Sequence, residues 1–252
     1  KLLKKFFKTY CYFMTKKILN QNTKYTQEFV NTFEPDFNFN DTPVNRYNIS
    51  TNNSAKNILI KAEKLAELKK KINSIENCDL KDNSKNLILG SGNVNSPIML
   101  IGETPGIEED SKALAFQGEV GKLLAKMLIA IKIKFENVYL SYSINFRPPD
   151  DRKPTAQEIK RYSVFLKEHV SIIDPKIIIL MGSTAMESLI GSKNKVSNER
   201  GKWKEIILNN KTYPVIISFS PSYLIRYPEN KKFSWEDLKK IKQKIEDLNI
   251  KI

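Results

Sequence analysis

The sequence predicts an α/β fold with a mostly parallel sheet covered by helices on both faces. Three observations predict it. Short apolar runs of strand length recur from residue 97 onward, at Pro97–Gly102, Asn137–Ser143 and Lys176–Met181. Between them lie stretches whose apolar residues return at helical spacing, and strands alternating with helices call for parallel crossovers. Each run also ends in Gly-, Pro- or hydroxyl-rich sequence, and in such sheets the ligand sits beyond the carboxyl ends of the strands.

The elements follow in order. Residues 1–54 read as an irregular, basic N-terminal arm. It opens with KLLKKFFKTYCYF, offers Met14 as a plausible start, and continues with Asn, Thr and Ser around Pro35 and Pro43. It has neither the apolar stretch nor the cleavage site of a secretory signal. Residues 55–252 form the domain. Ile58, Leu59, Ala62, Leu65, Leu68, Ile72 and Ile75 space an amphipathic helix over 55–76. Asn86–Leu89 reads as a short strand before the Gly90-Ser-Gly turn, and 97–102 as a buried strand. Helices are expected at 121–131, 155–173, 183–190 and 234–248. Further strands are expected at 137–143, 176–181, 204–208 and 213–219, the last two joined at Asn209-Asn210-Lys211.

Composition narrows the function. Of 252 residues, 40% are hydrophobic, enough for a core, and no apolar run approaches the ~20 residues of a membrane-spanning helix. The two cysteines, Cys11 and Cys78, cannot build a disulfide scaffold or a four-cysteine metal site. The single histidine, His169, excludes a two-imidazole mechanism and reads as a packing or surface residue. A formal charge of +14 suits a polyanion, nucleic acid before a membrane surface, although a lysine-, asparagine- and isoleucine-rich composition supplies much of it.

Chemistry-bearing residues gather in the loops after the strands. Gly102-Glu103-Thr104-Pro105-Gly106 is followed by Glu108, Glu109 and Asp110, then by Phe116-Gln117-Gly118. Arg147-Pro-Pro-Asp-Asp-Arg152 follows the second strand, Gly182-Ser183-Thr184 the third and Ser220-Pro-Ser-Tyr223-Leu224-Ile-Arg226 the last. A helix start with free N–H groups and hydroxyls suits phosphate, though Ser or Thr there also serves as a plain N-cap.

Taken together, GETPGIEED, FQGEVGKLL, NFRPPDDRKPTAQEI, PKIIILMGSTA, RGKW, SPSYLIR and KKFSWEDL resemble the family 4 uracil-DNA glycosylases over roughly residues 55–248, and most strongly over 97–237. Thr42-Pro-Val-Asn-Arg46 resembles the arm of a cysteine-poor bacterial branch. The resemblance implies a three-layer α/β/α sandwich that flips uracil out of DNA and hydrolyses its N-glycosidic bond. It implies catalytic roles for Glu103, Asp110 and Ser220. Gly102, Thr104, Gly106, Phe116 and Tyr142 would line the base pocket, with Phe116 stacking on the base. Ser183, Thr184, Arg200, Tyr223, Leu224 and Arg226 would contact DNA. The expected partner is single- or double-stranded DNA containing uracil, bound by a monomer in a bacterial cytoplasm, at the nucleoid.

This chain departs from the family at two pocket positions. Tyr142 stands where the family has the Asn that reads the uracil edge, and Ser220 where it has the His that donates toward O2. Three of the positions that hold the family's iron–sulfur cluster carry Ile75, Phe146 and Tyr162, leaving Cys78 alone. The expectation is no cofactor and no metal, since such clusters take four thiolates. Two functions follow: a repair glycosylase with reduced or altered activity, or a catalytically degenerate DNA-binding protein that keeps the fold.

Overall fold

Ile177–Met181 is five consecutive apolar residues, all buried. A run that short and that apolar on both sides belongs at the centre of a two-faced sheet. The computed structural model describes residues 48–251, and Cys11, Met14, Thr42–Arg46 and most of the expected arm lie outside them. In chain order the elements are α1 (Asn48–Asn73), α2 (Asp79–Asp82), β1 (Gly90–Gly92), β2 (Ile98–Gly102), α3 (Ile107–Lys112), α4 (Gly118–Ala130), β3 (Tyr139–Tyr142) and α5 (Ala156–Ile173). There follow β4 (Ile177–Met181), α6 (Ser183–Ile190), α7 (Val196–Glu199), β5 (Trp203–Leu208), β6 (Lys211–Ser218), α8 (Pro221–Arg226) and α9 (Lys231–Asp247).

The sheet runs β1-β3-β2-β4-β6-β5. β3, β2, β4 and β6 are parallel, and the edge strands β1 and β5 are antiparallel to their neighbours. Because strand side chains alternate between faces, β2 sends Ile98 and Leu100 to one core and Met99 and Ile101 to the other. The first core takes Leu124 and Leu128 of α4 and Leu238, Ile241 and Ile245 of α9. The second takes Leu166, Val170 and Ile173 of α5 and Ala185, Met186 and Leu189 of α6. The result is the three-layer α/β/α sandwich. β2 leads through α4 on one face, and its neighbour β4 leads through α6 on the other. Their carboxyl ends therefore form the switch point at which such sheets open a crevice.

Two boundaries differ from expectation. Helix α1 starts at Asn48, inside the segment read as an irregular arm. The strand expected at Asn86–Leu89 lies instead at Gly90–Gly92, paired with β3. Ile88 still enters the core, bonded to one residue across: its N–H donates to the Asn145 carbonyl and its own carbonyl accepts from Asn145 Nδ2. Helix α5 has a firm start. Thr155 Oγ1 accepts from Glu158 N (3.2 Å), while Glu158 accepts from Thr155 N (2.6 Å) and from both terminal nitrogens of Arg152. The Arg152 hydrogen bond, together with those from Thr155, outweighs burial and pulls the Glu158 carboxyl down to about 2.

His169 is a core residue. Its Nε2 lies 2.9 Å from the Tyr139 hydroxyl and its Nδ1 3.3 Å from Ser141 Oγ. Burial pushes its pKa down to about 3. The fold thus keeps the imidazole neutral while the unfolded chain protonates near 6.5, so its contribution is complete above 6.5 and drains away as pH falls toward 3. Each pH unit across that interval removes up to about 1.4 kcal/mol. Urea unfolding at pH 7.5, 6 and 5 is expected to show a steeper acid loss for the unaltered chain than for His169→Gln. Equal slopes would contradict the assignment.

Candidate active site

The loops after β2, β3, β4 and β6 meet around a cavity of about 350 Å³. Gly102, Glu103, Thr104, Glu109, Phe116, Tyr142, Thr184, Ser220 and Arg226 all line it, with Arg152 and Lys153 from the loop after β3. Most of the expected site residues therefore converge on the switch point. A larger open groove of about 960 Å³ runs along α1 and α5, but its Lys61 ammonium is spent on the carbonyls of Val94 and Ile173. It gathers none of the strand-end loops.

Glu103 is the first residue past β2 and is held from the adjacent strand end. Ser183 Oγ donates to its Oε1 at 3.0 Å, and Thr184 N donates to the same oxygen at 3.1 Å. Ser183 and Thr184, expected at phosphate, are thus turned onto the carboxylate. The approach is possible because residue 182 is glycine. Its φ is +104°, and a Cβ there would sit 2.3 Å from Glu103 Cδ.

The floor of the cavity is an aromatic pair. The rings of Phe116 and Tyr142 stack at 4.9 Å and 20°. Phe116 N donates to the Tyr142 hydroxyl (3.0 Å), which donates in turn to Glu109 Oε1 (3.3 Å). Glu109 also accepts from Gln117 N (3.0 Å) and Gly106 N (3.1 Å). Burial first, and the Glu109 charge second, push the Tyr142 phenol well above its ordinary pKa, so it stays a donor. Phe116 itself holds a φ of +51°, a left-handed conformation rare for a bulky residue. Gly102 backs the pair, where a Cβ would come within 2.8 Å of both rings. Glu109 was not among the expected site residues. Its signal was present, as an acid three residues after the turn glycine Gly106, the spacing that lets a carboxylate reach back to a helix start.

Four expected residues are placed elsewhere. Gly106 does not line the cavity; it is the N-cap of α3 and its N–H donates to Glu109. Asp110 faces away from the cavity and accepts from Ser84 Oγ (2.8 Å), Lys85 N (3.0 Å) and Asn86 N (2.9 Å). Burial would raise its pKa, but those hydrogen bonds prevail and hold it below the usual carboxylate value. Leu224 is 1% exposed and belongs to the core; its neighbour Ile225 is the exposed one, at 42%. Arg200 is turned inward, with Nε and Nη2 on the two carboxylate oxygens of fully buried Asp237, at 3.1 and 2.6 Å, and a further bond to the Phe233 carbonyl. Removing one partner of a buried pair strands the other charge, at about 3–5 kcal/mol. Arg200→Ala is therefore expected to cost that much stability in urea unfolding, while Arg226→Ala, at the exposed cavity mouth, costs little stability and more DNA affinity. An Arg200→Ala chain that unfolds like the unaltered one would contradict this.

Ser220 lines the cavity as the N-cap of α8. Its Oγ accepts from Tyr223 N (3.3 Å) and lies 3.1 Å from Ser222 Oγ. Tyr223 lies in an aromatic row, stacked on Phe219 at 4.9 Å and tilted against Tyr227 at 4.8 Å.

Away from the cavity, Cys78, Phe146 and Tyr162 share one buried cluster, with Ile75 packed against it. Cys78 Sγ lies 3.4 Å from the Tyr162 hydroxyl, and the Phe146 ring stands edge-on to Tyr162. One thiol among an aliphatic and two aromatic side chains does not fit the donor set of a four-iron cluster.

A fixed carboxylate beside a stacked aromatic pair, at the switch point of a mostly parallel sheet, places the chain among α/β proteins with a strand-end crevice. Comparison with known proteins narrows the class. The model of the uracil DNA glycosylase superfamily matches residues 89–242. The type-4 uracil-DNA glycosylase of Thermotoga maritima is 34% identical over 168 residues, 66% of this chain and 86% of that protein. Its counterpart from Archaeoglobus fulgidus is 31% identical over 183 residues, 71% of this chain and 92% of that protein. Part of a DNA polymerase of Bacillus phage SP01 is 29% identical over 160 residues, 17% of that protein. The chain belongs to the type-4 uracil-DNA glycosylase family of the uracil DNA glycosylase superfamily.

Proposed function

We propose that this chain hydrolyses the N-glycosidic bond of deoxyuridine in DNA, slowly, without an iron–sulfur cluster, as a monomer acting in the cytoplasm. The observation that carries the reading is the Glu103 carboxylate, fixed through Oε1 by Ser183 and Thr184 at the wall of the cavity. Its Oε2 is then the atom that orients a water toward C1′ of a flipped nucleotide. As the C1′–N1 bond breaks, its electrons leave with uracil as an anion and the sugar becomes cation-like. Water adds to C1′, its proton passes to the carboxylate and from there through solvent to the uracil anion, so Glu103 is returned to its starting state and the products are free uracil and an abasic strand.

What the leaving anion lacks is a strong donor near O2. Ser220 stands in the right loop, but its hydroxyl accepts from Tyr223 N–H and is shared with Ser222. A serine is also shorter than the imidazole found there in the family. Lys153 and Arg226 at the mouth suit the flanking phosphates. The Tyr142–Phe116 stack favours the second reading, a DNA-binding protein that has kept the fold and lost excision. Incubation with single- and double-stranded oligonucleotides carrying one deoxyuridine, followed by chromatography of free base, separates them. Slow uracil release supports the proposal; salt-sensitive binding with no release supports the second reading.

A further inference from the structure

We propose that Tyr142 is an internal occupant of the base subsite, a side chain that competes with the flipped base for the face of Phe116. The proposal rests on the glycosylase reading and names what throttles it. A stacking platform needs an open ring face, yet Phe116 is only 3% exposed and Tyr142 only 3%. The face of Phe116 that meets the Tyr142 ring, 4.9 Å away and nearly parallel, is already taken. That separation and tilt are those of a stacked aromatic pair, and so of a base lying on Phe116.

The edge of the ring is satisfied as well. The phenol accepts from Phe116 N–H and donates to Glu109 Oε1. It thereby engages a backbone donor and a carboxylate acceptor that would otherwise face a base edge. Turning Tyr142 away strips both hydrogen bonds and leaves Phe116 N–H and the buried Glu109 each short of a partner, which opposes the movement. Gly102, pressed against both rings, closes the space behind them. The rest of the cavity, around Glu103, Thr104, Thr184, Ser220 and Arg226, stays open. The chain can therefore take the sugar and phosphate of an extruded nucleotide while resisting the seating of its base.

The test uses free uracil, the leaving base alone, as probe, with binding followed by saturation-transfer NMR and titration. The unaltered full chain is expected to bind uracil at least tenfold more weakly than Tyr142→Ala, in which the ring is gone. Tyr142→Phe, which keeps the ring and its packing but loses both anchoring hydrogen bonds, is expected to fall between them. An oligonucleotide with a tetrahydrofuran abasic analogue, which has no base to seat, should bind all three within about twofold. Uracil binding by the unaltered chain as tight as by both variants overturns the proposal. The glycosylase reading fails separately: if no form releases uracil from DNA while Tyr142→Ala binds free uracil, the occupant stands and the catalytic reading falls.

Discussion

Glu103→Gln is expected to lower uracil release by roughly a hundred- to ten-thousandfold, the span attributed to a positioned acid–base group. The change is nearly isosteric. An amide oxygen can still accept from Ser183 Oγ and Thr184 N–H, which hold Oε1 at 3.0 and 3.1 Å. The link between the ends of β2 and β4 therefore survives, and so does the pocket wall. What is lost is the negative charge that faces a cation-like sugar and the base that takes a proton from water. Affinity for the abasic-analogue oligonucleotide should change little, because Glu103 is not a phosphate contact. Measured side by side, unfolding midpoint, strand binding and single-turnover release should separate, with only the last collapsing. A Glu103→Gln chain that releases uracil at the unaltered rate would remove Glu103 from the mechanism.

Tyr142→Asn combined with Ser220→His is expected to raise uracil release by about a hundred- to a thousandfold. A donor aimed at a developing oxyanion is worth about 3–4 kcal/mol. In this chain Ser220 caps α8, accepting from Tyr223 N–H, and its one proton sits on a side chain shorter than an imidazole and beside Ser222 Oγ. An imidazole at position 220 restores a longer donor. An asparagine at 142 vacates the face of Phe116 and offers an amide with both a donor and an acceptor. The two changes act on different steps, so the single variants should divide the gain. Tyr142→Asn should act mainly on KM as the base gains its seat, and Ser220→His mainly on kcat as the anion gains its partner. A double variant slower than the unaltered chain would make Tyr142 and Ser220 working residues of a different site.

The layers were legible in the sequence because burial on both faces writes itself as unbroken apolar runs. Ile177–Met181 and helix Ser183–Ile190 fall within a residue of where the spacing put them. Edge structure was not legible. Gly90–Gly92 has no apolar signature because Gly-Ser-Gly offers no apolar side chain to bury, while a ladder to β3 needs only backbone groups that any residue supplies. The loop-edge motifs located the cavity, but not which way each side chain turns. Leu224 and Ile225 are adjacent apolar residues on one short helix, and successive helical positions point about 100° apart. Only the fold decides that Leu224 goes in and Ile225 out. Arg200 read as a DNA contact because its partner, Asp237, lies 37 residues away on α9. Parity placed Tyr142 on the same sheet face as Leu140. Its stacking on Phe116 depends on a positive φ at residue 116, which no local pattern announces.

The glycosylase reading stands or falls on a single-turnover time course of uracil release from a single-stranded oligonucleotide, with protein in excess over one deoxyuridine but below the concentration that saturates the rate. A glycosylase held back by Tyr142 releases uracil slowly as the unaltered chain, not at all as Glu103→Gln and faster as Tyr142→Asn. No release from either the unaltered chain or Tyr142→Asn, with the strand still bound, would contradict it.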